Sequence, residues 1–255
     1  MICLTEARVA AACLAGLVAG LFARPALAGD FRVDNKVFLE DQKEPVSRSS
    51  TIFAKAMVYD FLEKPAEIFV FDRPREQFIL LNTQRRVSAQ VSMQEVAGFT
   101  EQLRQRAAEQ RDPFVQFLAN PTFEQHYDPA AGTVSLASPW LSYQVQGATG
   151  RSAEMIGQFR EFSDCYVRLS PILDAAARPP FARLILNEAL QKAGLIPQKV
   201  TLTLTPKRGL VPKRVVIRSE HELVDRLSQA DLDRVVQAQQ FMAIFNPVGL
   251  EQYKR

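Results

Sequence analysis

Histidine is nearly absent from this chain of 255 residues: His126 and His221 are the two present, far apart in sequence. A histidine-rich zinc motif or a His-x-x-x-His pair is thereby excluded. Cysteine is as scarce. Cys3 and Cys13 fall in the N-terminal 28 residues, which leaves Cys165 for the remainder, too few for an internal disulfide once that segment is removed. There is no Cys-x-x-Cys pair for thiol exchange and no Gly-x-Ser-x-Gly elbow. Gly147-Ala148-Thr149-Gly150 lacks the spacing and the following lysine of a phosphate loop, and reads as an entry to a helix. Nothing in the sequence points to a cofactor. Charge of one sign is lacking too, because 31 basic residues meet 28 acidic ones for a net +3. Such a balance argues against a nucleic-acid binder, which needs a concentrated basic face.

Long hydrophobic runs are also missing. The longest, Val9 to Phe22, spans 14 residues and is followed by Arg24 and Pro25, short of the roughly 20 apolar residues of a membrane-spanning helix. Arg8 precedes it, and Ala26-Leu27-Ala28 stands before Gly29. Together these make a secretory signal peptide over residues 1–28, cleaved after Ala28. A lipoprotein signal fits less well, since Ala10-Ala11-Ala12-Cys13 places its cysteine inside the apolar run. The expectation is a periplasmic or secreted protein with no stable membrane span after cleavage, and a single domain over 29–255.

Beyond residue 30 the sequence alternates like consecutive strands. Phe31, Val33, Val37 and Leu39 keep a period of two before the turn at Asp41-Gln42-Lys43-Glu44-Pro45. One long strand is expected from about Val46 to Phe61. Phe53, Met57, Tyr59 and Phe61 would share one face, and Ile52, Ala54, Ala56 and Val58 the other, so both sides should be covered. Ile68 to Phe71 and Phe78 to Leu81 form a hairpin about the charged turn Asp72 to Glu76. Val87 to Val91 has one wet face and belongs nearer a sheet margin.

Ser92 with Glu95 makes a capping box that starts a helix with its apolar stripe on Met93, Val96, Phe99, Leu103 and Ala107. A short helix after Asp112-Pro113, three strands between Phe123 and Val145, helices over 152–169 and 180–193, two strands about Gly209, and a last helix capped by Ser228 and Asp231 complete the order. Cys165 adjoins the helical stripe of Phe162, Tyr166 and Leu169, and reads as a buried thiol. Strand runs interrupted by helices describe an α+β fold with an antiparallel sheet.

Three features carry candidate chemistry. Glu220-His221-Glu222 looks like a metal cluster, but a strand sends the two carboxylates to one face and the imidazole to the other. Lys207, Arg208, Lys213 and Arg214 cluster about the Gly209 turn, as a contact for anionic headgroups or an acidic partner, or as a solvated turn. The phenylalanines, 17 in all, either fill a core or line an apolar cavity, for which Phe53, Met57, Tyr59, Phe69, Phe71 and Phe78 are the candidates.

A signal peptide, long two-sided strands and helices inserted between strand groups resemble the periplasmic lipoprotein-carrier superfamily, of the LolA and LolB kind. The resemblance lies in element order and carries over no individual site residue. It implies a curved antiparallel sheet, an incomplete β-barrel, with helices packed on its concave face and an acyl chain shielded inside. Two functions follow as expectations. One is a non-enzymatic exported protein that binds an apolar ligand, a lipid or lipoprotein acyl chain. The other is a structural or interaction protein of the cell envelope, with a filled core and the basic hairpin as its contact with another envelope protein.

Overall fold

The computed structural model describes residues 29–54, 56–149, 151–205 and 214–255. The expected signal peptide, and Lys207, Arg208 and Lys213 of the basic hairpin, lie outside the described residues. The fold is α+β, with one large open sheet of 12 strands and six helices among the described residues.

The first half of the sheet is a meander. β1 (Phe31–Leu39), β2 (Ser47–Ala54), β3 (Met57–Leu62), β4 (Glu67–Asp72), β5 (Gln77–Asn82) and β6 (Val87–Ser92) pair in sequence order, each antiparallel to the next. The turns between the later strands are set by side chains. Asp72 accepts from the Arg75 backbone N–H at 3.2 Å, and Asn82 accepts from that of Arg85 at 2.9 Å. Such bonds mimic a backbone turn. Helix α1 (Met93–Ala108) starts at the Ser92–Glu95 capping box, and α2 (Pro113–Ala119) at the Asp112 cap.

The second half adds β7 (Glu124–Asp128), β8 (Thr133–Ala137) and β9 (Leu141–Ala148), then α3 (Ala153–Leu173) and α4 (Phe181–Lys192). Helix α3 continues past the expected end at Leu169 and carries Pro171 inside it. Strands β10 (Ile196–Leu204) and β11 (Val215–Val224) return to the sheet, and β11 pairs with β1 to join the halves. Helix α5 (Gln229–Ile244) follows its Ser228–Asp231 capping box. The chain ends in β12 (Asn246–Pro247), parallel to β6, and a one-turn helix α6 (Leu250–Tyr253). That single parallel pair makes the sheet mixed rather than wholly antiparallel.

The expected single strand from Val46 to Phe61 is two strands. Ala54 stands opposite Met57, and Phe53 opposite Val58. The tight turn changes the parity of everything after it. In a continuous strand Phe53 and Met57 would share a side, whereas folding back places Phe53 with Val58 and puts Met57, Tyr59 and Phe61 on the other side. A further expected feature fails with it: the helices do not all pack on one face. The two-sided cover foreseen for this region is supplied by α5 on the back.

Three apolar clusters follow. Phe31, Val33, Phe53, Val58, Phe69, Phe71, Phe78 and Leu80 pack against Val96 of α1, Phe162 and Leu169 of α3, and Tyr253 of α6. Val134, Leu136, Tyr143, Val145, Val200 and Leu202 pack against Phe117 of α2 and Ala182, Leu186 and Leu190 of α4. Ile52, Tyr59, Phe61, Ile68, Val70, Ile79 and Leu81 pack against Ala238 of α5. The first two clusters lie on one face, here the front. Leu223 beside Val33 joins the first, and Ile217 beside Leu202 joins the second, yet both point to the same side of β11. Between them on that strand stand Ser219 and His221.

The back face is pinned at one corner. Arg32 Nη1 donates to both Asp231 oxygens at 2.8 Å, and Ser228 donates to the same carboxylate from its N–H at 2.8 Å and its hydroxyl at 2.7 Å. Asp231 thus caps α5 and ties it to β1. Burial alone would raise its carboxyl, but the Ser228 donors and Arg32 outweigh that and hold it below its ordinary range.

Candidate functional site

The gap between the two front clusters is bridged by a chain of polar side chains from four neighbouring strands, two each from β11 and β2 and one each from β1 and β3. The Ser219 hydroxyl lies 3.1 Å from His221 Nε2, and His221 Nδ1 lies 2.8 Å from Asn35 Oδ1. Asn35 Nδ2 donates to Thr51 Oγ1 at 2.9 Å, to Ser49 Oγ at 3.1 Å and to the Val33 carbonyl at 3.3 Å. Thr51 in turn donates to Asp60 Oδ1 at 2.8 Å. Because the Val33 carbonyl can only accept, it fixes the Asn35 amide with its oxygen toward His221. The imidazole must then carry its proton on Nδ1 and accept from Ser219 on Nε2. Every bond in the row, from Ser219 to Asp60, points the same way.

Pairing register assembles this row. Asn35 is opposite His221 on one side and Ser49 on the other, Val33 is opposite Thr51, and Thr51 is opposite Asp60. Glu220 and Glu222 point to the back, as expected of alternating strand residues, and His221 alone of that triplet joins the row.

Two helices approach the same band. Arg183, in the first turn of α4, donates from Nε to Asn187 Oδ1 at 3.0 Å. Asn187, 3% exposed, donates to Ser163 Oγ at 3.0 Å and to Asp164 Oδ1 at 2.7 Å. The other Asp164 oxygen accepts from Arg160 Nε at 3.3 Å. Asp164 is therefore engaged elsewhere, and among the described residues the Arg183 guanidinium forms no ion pair. Burial pulls the Arg183 pKa down. His221 is pushed down to about 3 by burial first and by the Arg183 charge second. Asp60, 3% exposed, is pushed up by burial, partly offset by Thr51, Ser49 and Arg234.

Ser219, His221 and Asn35 have the connectivity of a nucleophile, a base and an orienting group. Their electrostatics do not suit the task. Accepting the serine proton would create an imidazolium beside the Arg183 cation, with a neutral amide where a carboxylate would be needed. A histidine held neutral down to about pH 3 is a poor base at neutral pH. The row is better suited to fixing the strands and presenting polar groups than to proton transfer.

The six residues expected to line one cavity are divided by the sheet. Phe53, Phe69, Phe71 and Phe78 are buried on the front, where Phe53 and Phe78 meet Phe162 of α3 at ring-centroid distances of 5.7 and 6.4 Å. Phe69 meets Tyr166 at 6.0 Å. Met57 and Tyr59 are on the back, where Gln239 of α5 donates to the Tyr59 hydroxyl at 3.2 Å. The parity change at the β2–β3 turn is the reason. Of the basic hairpin, Arg214 is described and is exposed. Gly147 belongs to β9, not to a loop that could cradle an anion. A Cβ there would lie 2.8 Å from that of Leu195, so its lack of a side chain admits the α4–β10 connection.

Among the described residues no group of three or more His, Cys, Asp or Glu could hold a metal ion, and no helix is long and apolar enough to cross a membrane. Neither the family models nor the curated proteins searched contain a match to this chain.

Proposed function

We propose that this is an exported, non-catalytic binding protein, which curves its open sheet into an incomplete barrel and lays an elongated apolar group of a lipid or lipoprotein along the front face. The supporting observation is the band between the two front clusters. Leu204, Ile217 and Leu223 face that side yet stay half-buried, as do Arg183 and His221. Half-buried apolar side chains that flank a few fixed polar groups suit the lining of a ligand groove. The phenylalanines under α3 belong in this reading to the wall, not to the groove. Export rests on the N-terminal 28 residues and the cleavage pattern at Ala28.

Native mass spectrometry of the protein purified from its own envelope fraction tests both parts. The expected result is a mature mass beginning at Gly29 with an additional lipid-sized mass that gentle activation removes. A mature species that never carries such a mass, from native membranes or after incubation with phospholipid vesicles, would overturn the binding part. An intact Met1 terminus in that preparation would overturn export by cleavage.

A further inference from the structure

Beside the first front cluster, the end of α3 meets the β4–β5 pair and the one-turn helix α6, and an open cleft of about 360 Å³ lies between them. Tyr253 lines this cleft and is 4% exposed, yet its buried hydroxyl has no hydrogen-bond partner. A buried phenol normally finds one. Glu67 lines the same cleft. Burial first and the Glu67 charge second push the Tyr253 pKa up, so the phenol keeps its proton, but no hydrogen bond joins the two side chains.

The cleft holds more acceptors than donors to meet them. Glu67 Oε1 accepts from Asn82 Nδ2 at 3.0 Å, and among the described residues no cation pairs with this carboxylate. Asp174, the C-cap of α3, accepts from the Ala176 N–H at 2.8 Å through Oδ1 and likewise meets no cation. It adds its charge to the negative end of a 21-residue helix whose last turn contains no basic residue. The basic groups of the cleft are committed or peripheral. Both Arg85 Nη groups donate to backbone carbonyls, of Gln252 at 3.3 Å and of Tyr253, and the guanidinium lies over the Tyr253 ring at 5.6 Å from its centroid. Lys254 Nζ pairs with Glu251 at 2.9 Å, and Arg255 is exposed. What Glu67 and Tyr253 lack is a donor that carries positive charge.

We propose that this cleft binds a small zwitterion by its primary ammonium group, which donates to Glu67 and to the Tyr253 hydroxyl oxygen, while the anionic end of the ligand lies by Lys254 and Arg255. Asp174 and the α3 dipole attract the same cation without having to touch it. Phe69 and Leu173, also on the cleft wall, suit the short carbon link between the two charged ends. The ligand is either a free molecule of amino-acid size or the ethanolamine head of a phospholipid. The site stands on its own residues and does not require the apolar-ligand reading.

Isothermal titration calorimetry of the whole protein at low salt tests it with three probes: O-phosphoethanolamine, glycine, and phosphocholine, whose quaternary ammonium has no N–H to donate. The expected result is binding of one or both primary amines, with phosphocholine about tenfold or more weaker, the range of a charged hydrogen bond lost. Failure of both amines overturns the proposal, and so does phosphocholine binding as tightly. Glu67→Gln keeps an oxygen for Asn82 but loses the charge, and should weaken the interaction by about tenfold or more, and Tyr253→Phe by about two- to tenfold. Because Tyr253→Phe removes a group without a partner, its urea midpoint should stay level or rise. A hydroxyl that serves structure alone would instead lower the midpoint and leave affinity unchanged, and unchanged affinity in both variants overturns the site. Flotation with phosphatidylcholine vesicles, with and without phosphatidylethanolamine, separates the sources: binding that needs both phosphatidylethanolamine and Glu67 marks a lipid head, and binding of the soluble amines alone marks a free zwitterion. None of these readouts uses the lipid mass sought by native mass spectrometry, so the cleft and the apolar groove fail or stand separately.

Discussion

Acidification from pH 7 to pH 5 will destabilise this protein through His221, and the size of the effect can be worked from its surroundings. Burial and the Arg183 charge push the folded pKa down to about 3, against about 6.5 for an unfolded histidine. The unfolded chain therefore takes up a proton that the folded chain refuses. Stability from this residue is complete above the unfolded pKa and falls at about 1.4 kcal/mol per pH unit below it, until the folded pKa is reached. From pH 7 to pH 5 the loss is about 2 kcal/mol. That figure depends little on where the folded value lies, provided it stays below about 4.

His221→Gln removes the titration while leaving an amide that can still donate to Asn35 Oδ1. Urea unfolding followed by circular dichroism, repeated across this pH range, should show the wild-type midpoint falling by about 0.7–1 M relative to the variant, for an m-value of about 2–3 kcal/mol/M. The comparison must be between the two proteins. Asp60, with its pKa raised by burial, acts with the opposite sign, because its folded form gains a proton first and stability rises as pH falls through its folded pKa. Asp231 and Glu95 are held below the ordinary carboxylate range, so their contributions are lost only under stronger acid. Parallel stability curves for the two proteins between pH 7 and 5 would refute the placement of a neutral His221 in the row. A histidine nitrogen NMR spectrum showing the proton on Nε2 would refute the direction assigned to the bonds.

The remaining predictions are structural. Cys165, half-buried and with its thiol pushed up to about 12 by burial first, should resist iodoacetamide at pH 8 in the native protein and react after urea is added. Asp231→Asn should cost about 3 kcal/mol by removing the charge that pairs with Arg32 and weakening the α5 cap, read as a lower urea midpoint. Gly147→Ala should cost about 1–3 kcal/mol, read in the same assay, because Leu195 is 2% exposed and its Cβ lies 2.8 Å from the added methyl.

Local chemistry made part of this fold readable in advance. The capping boxes at Ser92 and Ser228 start α1 and α5 where expected, and the charged turn at 72–76 joins β4 to β5. Val87–Ser92 lies near the margin, next to the two-residue β12. The β2–β3 turn had no such marker. Neither Gly, Asn, Asp nor Pro interrupts Ala54-Lys55-Ala56, and apolar residues continue on both sides, so alternation carried straight through it. One missed turn then inverted the face assigned to Met57 and Tyr59, which is why a single cavity was drawn from residues of two different layers.

The polar band was invisible for a different reason. Asn35, Thr51, Asp60 and His221 lie in separate strands, and nothing in any one segment points to the other three. Strand pairing alone joins them, through contacts as distant in sequence as β1 and β11. Arg183 likewise looks like any helical surface arginine until α4 packs on the second front cluster. Burying such a row is expensive unless each member is satisfied, and from Ser219 to Asp60 each one is. Its Arg183 neighbour is held at Nε by Asn187, which Ser163 and Asp164 anchor in turn.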